Sequence, residues 1–142
     1  MAKCREIMTP DPICSLPTDP VTKAAQYMKS ENVGSIPVVD NQQNKRLVGI
    51  ITDRDLALGI LADGREPGKT TVKDLMTTDP VGCKEDDNIE KALHAMQTHQ
   101  VRRIPVVDQN QRLVGIIAQG DIATRLQNPE KTAEVVEEVS RP

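Results

Sequence analysis

Val33-Gly34-Ser35-Ile36-Pro37-Val38-Val39-Asp40 recurs as Val101-Arg102-Arg103-Ile104-Pro105-Val106-Val107-Asp108. Behind each copy comes Leu-Val-Gly-Ile-Ile, first at 47–51 and again at 113–117. One supersecondary unit is therefore written twice, and such a repeat constrains the whole fold. The match extends upstream at a constant offset of 68 residues. Ile7-Met8-Thr9 pairs with Leu75-Met76-Thr77, Asp11-Pro12 with Asp79-Pro80, Ala24 with Ala92 and Met28 with Met96. Beyond the turn at 40–47 the offset falls to 66, so the second copy is shorter in a polar loop, where length changes are tolerated.

Each copy reads strand, helix, strand, strand, helix. Residues 12–16 form a short extended run ended by Pro17. A helix is expected at about 19–31, with Asp19 as its cap and Pro20 in the first helical position. Val21, Ala24, Ala25 and Met28 are its apolar stripe, and Ile89, Ala92, Leu93 and Met96 repeat that stripe behind Asp86, Asp87 and Asn88. Strands at 36–39 and 47–51 are joined by Asp40-Asn41-Gln42-Gln43-Asn44, which is turn chemistry. Their unbroken β-branched runs predict burial on both faces. A short last helix is expected at 53–61, with a counterpart at 121–126. The fold class is α/β (α+β), with two tandem β-α-β-β-α repeats in one module.

The chain divides into 1–67, the first repeat with its lead-in and linker, 68–128, the second repeat, and an acidic tail at 129–142. The linker itself is the polar, Gly- and Pro-punctuated stretch 62–69. Within the tail, 130–139 has helical composition, and a solvated, partly ordered segment is expected. A chain of 142 residues fits one globule, and a half of about 65 residues is marginal alone.

Phe and Trp are absent and Tyr27 is the single aromatic residue, so the core is built from Val, Ile, Leu, Met and Ala. The usual aromatic platforms for stacking nucleic-acid bases are missing too. With a formal net charge of −3, general nucleic-acid binding is not expected. No apolar run approaches the roughly 20 residues of a membrane span, and the polar N-terminus does not resemble a secretory signal. Cys4, Cys14 and Cys83 show no Cys-x-x-Cys spacing, which fits a reduced, cytoplasmic protein.

Catalysis has little support. His94 and His99 lie five apart on a predicted helix, hence on different faces, without a Cys or Glu at metal-ligand spacing. Cys4 alone has basic neighbours, Lys3 and Arg5, near a terminus expected to be mobile, and all three cysteines read as structural or incidental. No Gly-rich phosphate loop of the P-loop or dinucleotide type occurs. The informative stretch is Gly49-Ile50-Ile51-Thr52-Asp53-Arg54-Asp55. One reading makes Thr52 the cap of the following helix with Asp55 in its first turn. The other aims Thr52 and Asp55 at a ligand, the carboxylate accepting from two ribose hydroxyls while Arg54 and the helix start suit a phosphate.

This order of motifs resembles the CBS domain, and the duplicated pair resembles a Bateman module, over about residues 7–127. The resemblance implies two repeats related by a pseudo-twofold axis, with clefts between them that bind adenosine-containing ligands. It implies that Ile13-Cys14-Ser15-Leu16-Pro17 and the segment containing Gly49, Thr52 and Asp55 meet at the first site. Ile36-Pro37 resembles the family's base-contacting wall. Arg102 and Arg103 fall where the family approaches ligand phosphates, often from the other repeat; the alternative for both is solvated charge at a strand entry. The first site is thus Ile13, Ser15, Pro17, Ile36, Pro37, Thr52, Arg54, Asp55, Arg102 and Arg103. The second comprises Val81, Cys83, Ile104, Pro105, Ala118 and Asp121, and is expected to be weak or empty. There Cys83 stands for Ser15, Glu85 for Pro17 and Ala118 for Thr52.

The resemblance implies a non-catalytic regulatory module for energy sensing that binds an AMP-, ADP- or ATP-like ligand. No covalent cofactor and no metal are expected, and the partners are a second copy in a homodimer and an unknown protein effector. A structural dimerisation module with a vestigial pocket, or a binder of NAD or S-adenosylmethionine, stays open as an alternative.

Overall fold

The computed structural model describes residues 2–125. Its elements are α1 (Cys4–Ile7), β1 (Thr9–Pro10), α2 (Val21–Glu31), β2 (Ser35–Val39), β3 (Leu47–Thr52) and α3 (Asp53–Leu56), which runs on as a π-helical turn, Ala57–Ala62. After a 3-10 turn at Pro67–Lys69 come α4 (Val72–Leu75), β4 (Thr77–Thr78), β5 (Cys83–Lys84), α5 (Ile89–His99), β6 (Arg103–Val107), β7 (Leu113–Ala118) and α6 (Gln119–Arg125). The expected tail at 129–142, and Leu126 at the end of the last expected helix, lie outside the described residues.

The compact units cut across the sequence repeat. One is Ile13–Pro80, and the other joins residues up to Pro12 with those from Val81 onward. Two short strands produce this arrangement. In one unit β4 pairs antiparallel with β3, Gly49 opposite Thr78 and Ile50 opposite Thr77, giving the sheet order β2-β3-β4. In the other, β1 pairs antiparallel with β7, Thr9 opposite Ile116 and Pro10 opposite Gly115, giving β1-β7-β6-β5. The lead-in thus completes the unit of the second repeat, and the segment after the linker completes that of the first.

A glycine makes each pairing possible. A Cβ on Gly49 would lie 2.9 Å from the Met76 sulfur and 2.9 Å from the Thr77 carbonyl oxygen. A Cβ on Gly115 would lie 2.4 Å from the Met8 sulfur, with the Met8 Cβ at 3.0 Å. Each central strand keeps a bare Cα where the methionine of the added segment crosses it.

Backbone bonds fasten the short helices beside them. Val21 N–H donates to Thr70 O at 3.0 Å, Val72 N–H to Asp19 O at 2.8 Å and Lys73 N–H to Pro17 O at 3.0 Å. The second repeat answers with Ile89 N–H to Ala2 O at 2.9 Å, Cys4 N–H to Asp87 O at 2.9 Å and Arg5 N–H to Glu85 O at 3.1 Å. These bonds correct two expectations. Asp19 does not cap α2, because the first amide of that helix is already occupied by Thr70 and Pro20 itself is the N-cap. Asp19 Oδ2 instead accepts from Leu16 N–H at 2.9 Å and closes the turn before the helix, as Asp87 Oδ2 does for Lys84 N–H. The extended run at 12–16 is also shorter than expected, reduced to a single parallel bridge of Ser15 with Val38.

The cores are aliphatic and match position for position. Val21, Ala24, Met28, Ile36, Val38, Ile51 and Val72 form one. Ile89, Ala92, Met96, Ile104, Val106, Ile117 and Cys4 form the same set in the other, with Ile7, Cys83, Leu93 and Ile122 added. Leu93 is buried but its counterpart Ala25 is exposed, so the expected stripe of α2 is narrower by one residue. In β2 and β6 every residue after the first is buried, as the β-branched runs predicted, but in β3 Leu47, Val48 and Ile50 are only half-buried, so the expected burial on both faces fails there. Both long helices end in a left-handed residue, Asn32 at φ 55° and Gln100 at φ 52°.

Gly115→Ala should cost about 1–3 kcal/mol of stability by overpacking. The double variant with Met8→Ala should lose less than the sum of the two single losses, read from urea denaturation midpoints. Gly49→Ala should be rescued less by Met76→Ala, because the Thr77 carbonyl remains in the way.

Candidate ligand site

Where β3 turns into α3, the chain makes a reciprocal cap. Thr52 Oγ1 accepts from Asp55 N–H at 3.1 Å, and Asp55 Oδ2 accepts from Thr52 N–H at 2.9 Å. The cap reading of this stretch therefore holds, and it leaves room for the other. Asp55 is half-buried, and its Oδ1 has no hydrogen-bond partner among the described residues. One carboxylate oxygen orients the side chain and the other is available to a donor. Arg54 is exposed, with its guanidinium unpartnered among the described residues, while Asp53 Oδ1 accepts from Arg54 N–H at 2.9 Å.

Ser35 lies directly across the strand pair from Thr52. Opposed residues of an antiparallel pair share one face, so two half-buried hydroxyl side chains stand together, and one of them, Thr52, is bonded to Asp55. The sequence reading missed Ser35, although counting the hairpin register back from the turn would have found it. Next to it, a Cβ on Gly34 would come within 3.0 Å of Asp53 Oδ2.

The second repeat keeps half of this arrangement. Asp121 Oδ2 accepts from Ala118 N–H at 2.9 Å, but Ala118 has no hydroxyl to return the bond. Across from Ala118 stands Arg103 in place of Ser35. A pair of hydroxyls has become an arginine facing a methyl group. Arg102 is exposed and Arg103 half-buried, both without ion-pair partners among the described residues.

The remaining site candidates fall into two groups. Ile13, Pro17 and Val81 are at least partly accessible. Ile36, Pro37, Ile104 and Pro105 are buried, Ile36 and Ile104 within the aliphatic cores, so those two side chains pack structure rather than face solvent. Ser15 is fully buried, and its Oγ has no partner among the described residues. Its counterpart Cys83 is also buried, in the core beside Cys4. Cys4 itself is fully buried in α1, a correction to its expected place near a mobile end. His94 and His99 are exposed. Among the described residues no group of three or more His, Cys, Asp or Glu is placed to hold a metal ion, and no helix is long and apolar enough to cross a membrane.

The family model for the CBS domain matches residues 4–62 and again 72–128. The chain belongs to the CBS domain family. The CBS domain-containing protein YhcV of Bacillus subtilis is 39% identical over 140 residues, covering 99% of this chain and 96% of that protein. Among solved structures, hypoxic response protein I with two coordinated zinc ions matches at a TM-score of 0.79 and 35% identity, covering 87% of this chain and 98% of that one. CBSX2 of Arabidopsis thaliana in complex with AMP matches at 0.77 and 27% identity, covering 92% and 99%. The CBS pair of protein MJ0100, bound to 5′-methylthioadenosine and S-adenosylmethionine, matches at 0.75 and 28%, covering 89% and 97%. The fold is therefore a mixed α/β CBS pair, and regulatory ligand binding is the activity its relatives support.

Thr52→Ala removes the hydroxyl half of the α3 cap and should cost about 0.5–2 kcal/mol of stability. Ala118→Thr supplies the missing half at α6 and should return a gain of similar size. Chemical denaturation of both variants measures the two changes on one scale.

Proposed function

We propose that this CBS pair is a non-catalytic regulatory module that binds an adenosine nucleotide at the first-repeat site. The observation that carries the reading is the free Oδ1 of Asp55, held in position by the bond that Oδ2 makes to Thr52 N–H. A ribose offers two adjacent hydroxyl donors, and a fixed, half-buried carboxylate oxygen is a suitable acceptor for them. Ser35 and Thr52 add hydroxyls on the same face, and Arg54 adds a cation suited to phosphate. Ile13 and Pro17 supply accessible apolar surface for the base. Ser15, Ile36 and Pro37 belong to this reading as packed residues rather than as solvent-facing contacts. Arg102 and Arg103 belong to the same reading as phosphate contacts. AMP bound to CBSX2 and S-adenosylmethionine bound to MJ0100 support the ligand class, with an energy-sensing nucleotide ahead of the sulfonium ligand because of the free arginines.

The second repeat, with Val81, Cys83, Ile104, Pro105, Ala118 and Asp121, is the weaker site on this reading. Its Ala118 offers no hydroxyl, and Glu85 sets a carboxylate where the first repeat has Pro17. The module works in the cytoplasm as a homodimer, the commonest form of symmetric oligomer, and passes its signal to a protein effector. Light scattering of the full chain should give twice the 15.6 kDa chain mass; a monomer with and without nucleotide contradicts the dimer.

Thermal shift against a panel of AMP, ADP, ATP, NAD and S-adenosylmethionine should show stabilisation by at least one adenine nucleotide, by mass action on the native state. Asp55→Ala should then weaken that ligand tenfold or more, through loss of a charge-assisted bond worth about 1.5–3 kcal/mol. Asp74→Ala serves as the control: Asp74 Oδ2 accepts from Thr71 N–H at 2.9 Å in an equivalent cap on α4, so it should lose stability and keep its affinity. Equal affinity losses in both variants would mean that Asp55 acts only through the fold. A panel without any stabilising ligand would favour the vestigial pocket.

A further inference from the structure

Two of the three cysteines meet where one unit is stitched from distant parts of the chain. Cys4 lies in α1 and Cys83 in β5; both are buried in the same aliphatic core. About 80 residues of sequence separate them, including all of the other compact unit. Their approach is fixed by backbone, since Cys4 N–H donates to Asp87 O and Arg5 N–H to Glu85 O, in the turn directly after β5. An ion pair between Arg5 and Asp86 clasps the same turn from outside. The two thiols lie close enough in that core to shift one another's ionisation. At the corresponding positions of the first repeat stand Ser15 and Val72, so the thiol pair is peculiar to the unit whose lead-in comes from the N-terminus.

We propose that Cys4 and Cys83 form a dithiol site that a low-molecular-weight disulfide oxidises to an intrachain disulfide, locking the N-terminal lead-in onto the second repeat. Contact with Cys83 holds the Cys4 thiol below its ordinary range, while the same contact and burial push Cys83 up. Cys4 sits on the short helix α1, whose opening exposes it, so it is the attacking thiolate. It displaces one thiolate from the oxidant and forms a mixed disulfide. Cys83 then loses its proton and attacks the Cys4 sulfur, expelling the second thiolate. Two protein thiols are oxidised, the oxidant's disulfide is reduced to two thiols, and both released protons pass to solvent or to the departing thiolates. Access comes from local opening of α1, which is four residues long. Cys14 is half-buried in the other unit, and burial raises its thiol, so it is the internal control.

The test uses the full reduced chain, incubated with oxidised glutathione at neutral pH and quenched with acid. Intact mass should fall by two hydrogens, peptide mapping should join the Cys4 and Cys83 peptides, and Cys14→Ser should behave identically. Cys83→Ser should instead accumulate a glutathione adduct on Cys4. The closed loop is long, so oxidation should raise Tm by about 5 °C or more, reversibly with dithiothreitol. Recovery of free Cys4 and Cys83 thiols, glutathione adducts on the unmodified pair, a bond involving Cys14, or an unchanged or lowered Tm would each overturn the proposal.

Discussion

The close crossing of a methionine over a bare strand glycine is the contact on which this architecture depends. Without it, β4 cannot lie against β3 at Gly49, nor β1 against β7 at Gly115. Each compact unit would then lose its outermost strand, and with it the short helix that covers one end of the core. The lead-in helix α1 and its counterpart α4 carry Cys4, Ile7 and Val72 into those cores. Such four-residue helices have little stability of their own, because nucleation is costly and is repaid only by tertiary contacts. Their persistence follows from the strand pairing beside them and from the backbone bonds to the start of each long helix.

A second economy is the repeated use of one acidic residue three positions into a helix. Asp55, Asp74 and Asp121 each accept the N–H of the residue at the helix entrance. A carboxylate has two oxygens, and the cap uses one. At Asp55 this divides the labour: the fold fixes the side chain with Oδ2, so a ligand meeting Oδ1 need not order it. Preorganisation of this kind reduces the entropy lost on binding. The same device explains why cap and ligand roles for Thr52 and Asp55 are compatible readings of one stretch.

Much of the fold was legible because its signals are periodic. The β-branched runs gave both central hairpins almost to the residue, and the Ala/Met spacing gave both long helices. What escaped was determined at a distance. Asp19 has the chemistry of a helix cap, but Thr70 reaches the first amide of α2 and leaves Asp19 to close the preceding turn. The lead-in segments showed up as matched sequence, Ile7-Met8-Thr9 and Leu75-Met76-Thr77, yet nothing local said which strand each would join. Gly49 was read within a ligand motif, whereas its clearest role is steric. At the site, residue types were legible and depth was not. Ser15 and Ile36 match the family motifs, but both are buried: Ile36 packs in the aliphatic core, and Ser15 bridges Val38 of the buried strand β2. Ser35 was missed because its significance lies in its partner across the strand, Thr52.

The asymmetry between the repeats follows from a few substitutions. Exchanging Ser35 and Thr52 for Arg103 and Ala118 removes two hydroxyls and adds one cation, while the aspartate and its cap bond survive. On the proposed reading, ligand recognition rests on the free oxygen of Asp55 and the hydroxyls of Ser35 and Thr52, above the contribution of the repeated Ile-Pro segments. An amide-resolved NMR titration with AMP tests this claim most directly. The account predicts that the amides of Ile13, Ser35 and 52–55 move at the lowest AMP concentrations, while those of 118–121 respond only at concentrations about tenfold higher. Equal movement at 52–55 and 118–121, or movement confined to the second repeat, would contradict it.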